Sequence, residues 1–435
     1  MRKNVSIIKF VSVLSLFCSF TNFVPISAAI SAFSLLLYPF SVAVNKVSRP
    51  IIPLLAFFIY ASLSTLFYDA TSLFDVDFYR RDGNFFVTMT PLLFLSSTIF
   101  FVNLDRTLRW FVYVSTFANA AVLAAWLATG GIALFRGQIG YEPYTPIYHF
   151  LFIAHNAAGG FLAMLSAYSV AMLFERRNLL TASIVAVNLA ALFLTSSRGS
   201  MLGLAIAVVL VVFAGRFRDK FYPVVIPALA INLLIVLYIY SNSDINYIIY
   251  RQALLTRVVA TLDPGIAGYL DDNASIRLET SWPLAMHAFF QSPIVGIGFG
   301  AFDDLPWNFW GWPGVFAFNS PEWFWHTDAH AHHTFLHVMA EMGAVGLVLL
   351  LWFLNRLHAF LQTLESPMVR RALLLGFWVS VVSSFTEHRL FTPSQMLPFV
   401  IMVGLAFAHT NYQEAQRRAA RPTTQPALAG LTRDG

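Results

Sequence analysis

The sequence predicts an all-α polytopic membrane protein, about 12 transmembrane helices with one large loop containing short helices. Composition is the first ground: 58% of the 435 residues are hydrophobic and 11% charged, where a soluble domain carries roughly 25% charged residues. Only a bilayer solvates that much apolar side chain. Segment length is the second: apolar stretches of about 17 to 25 residues recur from end to end, the length a helix needs to cross about 30 Å of hydrocarbon. They do not alternate apolar with polar, which excludes a membrane β-barrel. The third is a single interruption, from roughly Ser241 to Ala331, where about 90 residues leave the pattern; a connection of that length is usually functional.

Charged and polar punctuation sets the helices in order. Ile7–Val24 follows the basic start Arg2-Lys3, and Ser27–Val44 ends before Lys46 and Arg49. Ile51–Phe67 is separated by Arg80 and Arg81 from Phe85–Val102, and Arg106 opens the way to Leu108–Ala128. Phe150–Phe174 stops at Arg176-Arg177, and Leu179–Leu194 stops at the turn Thr195–Ser200. Ser200–Ala214 precedes Arg216, Arg218 and Lys220, after which Phe221–Tyr240 enters the large loop. His333–Leu354, Ala372–Phe385 and Phe391–Ala408 close the set, with Arg370-Arg371 and Glu387-His388-Arg389 in the turns between them. Residues 1–240 thus hold helices one to nine, 241–332 the loop, 333–409 helices ten to twelve, and 410–435 a cytoplasmic polar tail expected to be disordered. Met1–Ala29 also has the form of a signal peptide, with Ser27-Ala28-Ala29 as a cleavage site; the apolar sequence that follows at once favours a retained helix.

With the N-terminus in the cytoplasm, 19 of the 27 Lys and Arg residues fall in cytoplasmic segments, a positive-inside bias that puts the large loop in the periplasm of a bacterial inner membrane. The exceptions are Arg80, Arg81, Arg136, Arg198, Arg251, Arg257, Arg277 and Arg389. The net charge of +5 is accounted for by this topology, and no basic stripe with interleaved aromatics points to nucleic acid. The single cysteine, Cys18, gives the loop no disulfide. No matching pair of broken helices marks the two halves of an inverted-repeat transporter.

The loop carries an aromatic band, Trp307, Phe309, Trp310, Trp312, Phe316, Phe318, Trp323, Phe324 and Trp325. It reads equally as an interfacial belt or as a surface that stacks on sugar rings or a polyprenyl chain. His326, His330, His332, His333 and His337 follow directly. His332 stands at the mouth of the tenth helix, where a neutral imidazole can act as a base. A zinc site using His333 and His337, four apart, with His326, Asp328 and His330 nearby is a second reading, and solvated polar residues are a third. Arg198, in Thr195-Ser196-Ser197-Arg198-Gly199-Ser200, places a cation beside the positive end of the following helix, an arrangement that an anion would relieve; snorkelling to lipid phosphates is the bland alternative. Arg277 lies in Asn273–Leu278, followed by Trp282 in a helix-compatible interval from Ser275 to Phe290. Ser292-Pro293 with Gly296, Gly298 and Gly300 then marks a tight, extended return. Glu341, about two turns into an apolar helix, is a costly carboxylate expected to pair with His337 or an arginine. His155-Asn156 with Gly159-Gly160 faces the bundle interior or simply packs.

Ser197-Arg198-Gly199, Arg277 with Trp282, Ser292-Pro293 with Gly296-Gly298-Gly300, and His332-His333-x-x-Leu336 with Glu341-x-Gly343-x-x-Gly346, in that order and on one membrane side, resemble the O-antigen ligase and polymerase superfamily of bacterial envelope enzymes. Where that family usually has His-Asn, this chain has His332-His333; the register with Leu336 and Glu341 puts His332 in the catalytic place and His333 in that of the asparagine. The resemblance implies a glycosyltransferase that takes a glycan from undecaprenyl diphosphate on the periplasmic face and transfers it to lipid A core or, as a polymerase, to a growing glycan. Its catalytic residues would be His332, Arg198 and Arg277, with His333, His330, Glu341, Asn156, Trp282 and Arg389 binding substrate, no metal or other cofactor, and membrane lipids as its other partners. A transporter of lipid-linked polysaccharide and a zinc-dependent membrane hydrolase are the rival classes.

Overall fold

The computed structural model describes residues 2–19, 29–30, 32–34, 36, 48–75, 78–79, 83–129, 147–152, 154–213, 220–245, 277–302 and 330–420. The regular structure among them is helical: α1 (Arg2–Cys18), α2 (Ile52–Tyr68), α3 (Asn84–Ser96), α4 (Leu104–Ala128), α5 (His155–Glu175), α6 (Leu179–Leu194), α7 (Arg198–Val208), α8 (Tyr222–Ser241), α9 (Trp282–Gln291), α10 (Thr334–Gln362), α11 (Pro367–Ser383) and α12 (Pro393–Ala420). A π turn, Val209–Phe213, extends α7, and another, Arg277–Ser281, leads into α9. Five of the described helices are long and apolar enough to cross a membrane: Arg49–Tyr68, α4, α5, α8 and α10. These lengths and compositions are those of a multi-pass membrane protein.

α5 is the central post. Ala157, Ala158, Gly159, Ala163, Ser166, Ala167 and Ser169 are buried along it, and such small side chains let α6, α7 and α11 approach closely, as helices in lipid must where hydrophobic drive between them is weak. α12 closes on α3, and α10 packs on α2 and α9. A polar knot ties α4, α5 and α6 at mid-depth: Asn119 donates to Asn188 Oδ1 at 3.2 Å, while Asn188 Nδ2 donates to Thr116 and Ser169 at 2.9 and 2.8 Å. The helices run alternately, so one end of the bundle collects the C-termini of α2, α6, α8 and α11 and the N-termini of α3, α5, α7, α10 and α12. The motif residues gather at that end. At the opposite end Arg109 pairs with Glu175 at 2.8 Å, Ser366 donates to Asp105 at 2.8 Å, Arg176 and Arg177 sit in the turn after α5, and Arg370 and Arg371 lie near the start of α11.

α10 is broken. Gly343 has φ 61° and ψ −161° inside it, so the helix runs as two pieces and releases backbone groups that lipid cannot satisfy. The glycine return after α9 takes them up. Ala344 and Val345 N–H donate to Pro293 O and Ile294 O at 2.9 and 3.1 Å, and Ala340 O and Glu341 O accept from Ile297 and Gly298 N–H, both at 3.0 Å. The Tyr60 hydroxyl from α2 reaches Val295 O at 2.9 Å and Met342 O at 3.3 Å. The two backbones touch through glycines: a Cβ on Gly343 would meet Ile294 O, and one on Gly296 (φ 81°) would meet Glu341 O. The spacing Gly296-x-Gly298 and the distant Gly343 therefore answer one packing requirement.

Several boundaries differ from the sequence expectation. α3 stops at Ser96 and does not continue to Val102, because the hydroxyls of Ser96, Ser97 and Thr98 take the carbonyls of Leu93, Phe94 and Leu95. α5 begins at His155 and not at Phe150, which has φ 49°. α12 runs on through Ala420, so residues 410–420 of the expected disordered tail are helical; Asn411 Nδ2 anchors to Ser96 O at 2.9 Å, and Arg417 and Gln413 both reach Glu365. The second predicted span, the aromatic band, His326, Asp328, Arg80, Arg81, Arg136, Arg251, Arg257, residues 421–435 and most of the large loop lie outside the described residues, apart from a few positions of that span.

Candidate active site

The α11–α12 turn, Ser384–Thr392, is the floor of the site. Thr334 fixes it to the start of α10: its N–H donates to Ser384 O at 2.9 Å and its hydroxyl to Glu387 O at 3.2 Å. Glu387, 8% exposed, uses both carboxylate oxygens. Oε1 accepts from Arg277 of the π turn, and Oε2 lies 3.4 Å from His332 Nδ1. Burial pushes this carboxyl up, but the hydrogen bond with His332 and the charges of Arg389, Arg277 and His332 outweigh it and hold Glu387 at about 2, ionised at any neutral pH. His332 has φ 50°, a left-handed conformation in which a non-glycine residue is held only by its surroundings. Its side chain is 19% exposed, as is that of Arg277.

Arg198 is exposed at the first position of α7, reached through Ser196 with φ 55°. Its neighbour Gly199 is pressed against the same turn: a Cβ there would meet Thr386 and lie 3.9 Å from Glu387 Cγ. Arg389 holds this corner from behind. It is 2% exposed, donates to Asn156 O at 2.5 Å, to Ser197 and Ser200 hydroxyls at 3.2 and 2.8 Å, and to Gln395. Burial lowers Arg389 to about 10, with Glu387 raising it and Arg277 lowering it, so it remains a cation. Asn156 Oδ1 accepts from Ser197 at 3.2 Å. Arg389 and Asn156, expected to bind substrate, are thus engaged in positioning the Arg198 turn.

His333 is engaged at both nitrogens. Nδ1 accepts from Leu336 N–H at 3.1 Å, capping α10, and Nε2 donates to Asn232 Oδ1 of α8 at 2.7 Å. It is 1% exposed, and burial lowers it to about 3, which keeps it neutral with no lone pair to offer. Trp282, 8% exposed, meets it edge-on with ring centroids 5.6 Å apart. An Asn in place of His333 can give the same cap. His333→Asn, which keeps the cap but loses the Nε2–Asn232 bond, should cost about 1–3 kcal/mol, and His333→Ala about 1–2 kcal/mol more for the cap; thermal unfolding in detergent checks both.

His330 stacks on His388 with ring centroids 4.7 Å apart and also faces His332 at 4.6 Å. His337 meets His388 at 4.5 Å, and its Nε2 lies 3.3 Å from Glu341 Oε2, the pairing expected from their i, i+4 spacing. Glu341 Oε1 accepts from Phe302 N–H at 3.2 Å, so this carboxylate locks the end of the glycine return. Burial, with the charges of His337, His330 and His332, pushes His388 well below the usual imidazole range. Among the described residues no group of three His, Cys, Asp or Glu side chains is placed to hold a metal ion.

Sequence reasoning missed Glu387 and Asn232. Asn232 left a signal, the one amide in an otherwise apolar span; Glu387 left none beyond its place between the expected cations.

A multi-pass helical membrane protein with a histidine, a carboxylate and two arginines at one end of its bundle is the class defined so far. A family model described as O-antigen ligase matches residues 183–351, and over that stretch the chain is similar to the O-antigen ligase and polymerase superfamily. The match takes in Arg198, Arg277, His332 and Glu341; Asn156 and the Glu387–Arg389 turn lie outside it. No curated protein matches the chain.

Proposed function

We propose that the protein is an O-antigen ligase-like inverting glycosyltransferase of the bacterial inner membrane, moving an undecaprenyl-diphosphate-linked glycan to lipid A core at a periplasmic site. The observation that carries this reading is the connected cluster Arg277–Glu387–His332 beside the helix terminus that presents Arg198. The positive-inside bias supports the periplasmic side, since basic residues crowd the turns at the other end.

In this mechanism the acceptor hydroxyl gives its proton to His332 Nε2 as its oxygen bonds to the anomeric carbon. The anomeric carbon–oxygen bond breaks on the opposite face, and its electron pair leaves with the diphosphate. Charge grows on that diphosphate in a poorly hydrated place, where Arg198 and Arg277 meet it through charge-assisted hydrogen bonds. The leaving group arrives activated, so no nucleotide is consumed. His333, Asn156, Arg389 and Glu341 hold these groups in place through the bonds described above. His333, with both nitrogens committed, leaves His332 as the base.

The test is transfer by purified protein from undecaprenyl-diphosphate glycan to rough lipopolysaccharide, with EDTA present. Glycan attached to lipid A core is the expected product. Chains lengthened without attachment would make the protein a polymerase, and absence of any glycosidic product would remove the enzyme reading in favour of transport. Activity abolished by EDTA and restored by zinc would return the histidines to a metal role.

A further inference from the structure

Glu387 stands in two relationships at once. Its Oε1 neutralises Arg277, the cation assigned to the diphosphate, and its Oε2 faces Nδ1 of His332, the assigned base. The carboxylate is nearly buried and comes from a turn pinned at Ser384 and at its own carbonyl by Thr334. Gly199, next to Arg198, presses on the same turn. Before substrate arrives, then, Arg277 is occupied by a protein anion and the charge of that anion is divided between a guanidinium and an imidazole.

We propose that Glu387 is a donor-gated positioning residue: it occupies the anion site of Arg277 until the lipid-linked diphosphate displaces it, and its released charge then strengthens His332 as the base. The inference rests on the proposed function and adds an order to it. Donor binding exchanges one ion pair for another at Arg277, at little electrostatic cost. The carboxylate, still held in its turn, keeps its hydrogen bond to Nδ1–H, which fixes the tautomer with the lone pair on Nε2, and faces the imidazole with its full charge. Acceptor deprotonation is therefore favoured only with donor in place. The other titratable or charged groups around His332 are His330 on its own segment, His388 and Arg389 on the turn, His337 on α10 and Arg277 on the π turn. Of these, Arg277 alone is assigned a change of partner when donor binds.

Glu387→Gln separates this role from a structural one, because the amide keeps an acceptor for His332 and loses only the charge. With Arg277 unoccupied, the variant should bind undecaprenyl diphosphate several-fold more tightly while kcat for transfer falls by about 10²-fold. A residue that merely held the fold would weaken both together. A second measurement needs no variant: in the wild type, the acid limb of the rate profile should lie at higher pH in kcat/KM for acceptor at saturating donor than in kcat/KM for donor, which reports the free enzyme. The diphosphate contributes to that displacement by its own charge, so the part owed to Glu387 is what disappears in Glu387→Gln. Weaker donor binding in the variant, or an unchanged kcat, or an acid limb that moves equally with and without the carboxylate, would overturn the proposal. Wild-type protein that forms no glycosidic bond at all would instead overturn the function on which it rests.

Discussion

His332→Ala is expected to lower transfer by about 10² to 10⁴-fold, the contribution of a positioned general base, while leaving undecaprenyl diphosphate binding within a few-fold of wild type. The arginines that face the diphosphate are on other elements, and alanine keeps the Cβ that already stands at φ 50°, so the substitution adds no new backbone clash. His333→Asn is the paired control. It keeps the α10 cap and should retain most of the wild-type rate, whereas a base at His333 would make that variant as inactive as His332→Ala. Comparing both rates at saturating donor, with binding followed separately, decides between the adjacent histidines. The wild-type rate should fall on the acid side as His332 takes a proton from water in place of the acceptor's, and the residual rate of His332→Ala should lack that limb.

Gly343→Ala should destabilise the protein by roughly 2–5 kcal/mol, combining about 1–2 kcal/mol for a side chain at positive φ with about 1–3 kcal/mol for forcing it against backbone. The nearest neighbours of a Cβ there are the carbonyl of Ile294 and the nitrogen of Val295, neither of which can rotate away as a side-chain tip would. Val345→Ala, two residues on and partly exposed, should stay within about 0.5 kcal/mol. Thermal unfolding in one detergent reads both. If Gly343→Ala melts with the wild type, the glycine return does not clamp the break as described.

How much of this was legible beforehand depended on the kind of signal. Hydropathy and charge punctuation marked the five long apolar helices, because a helix crossing lipid announces itself by its length. They failed where a helix ended for local reasons, as at Ser96-Ser97-Thr98, or outlived its apolar stretch, as α12 does to Ala420. The Glu341–His337 pair was legible from spacing alone. Gly296, Gly298 and Gly300 were readable as a tight return, but not that their counterpart was Gly343: the requirement is a contact between two backbones far apart in sequence, and it leaves no periodicity. Arg389 stood out as a cation against the charge bias, yet its role as a buried brace for the Arg198 turn depends on Asn156, Ser197, Ser200 and Gln395 converging in space. Glu387 was invisible because an acid in a short polar turn is unremarkable until its neighbours are known.

The break at Gly343 bears on how the chain is made. Residues 293–300 leave the ribosome before Thr334–Gln362, so the strip of backbone that receives the severed rungs of α10 is synthesised ahead of the rungs themselves. The stretch after the break, Ala344–Gln362, is apolar and nearly a membrane span in length; the stretch before it, Thr334–Met342, carries His337 and Glu341 and leans on the returned strip. Seating this helix thereby calls on two partners, apolar surroundings for the later half and, for the half that carries His337 and Glu341, a strip of backbone made before it.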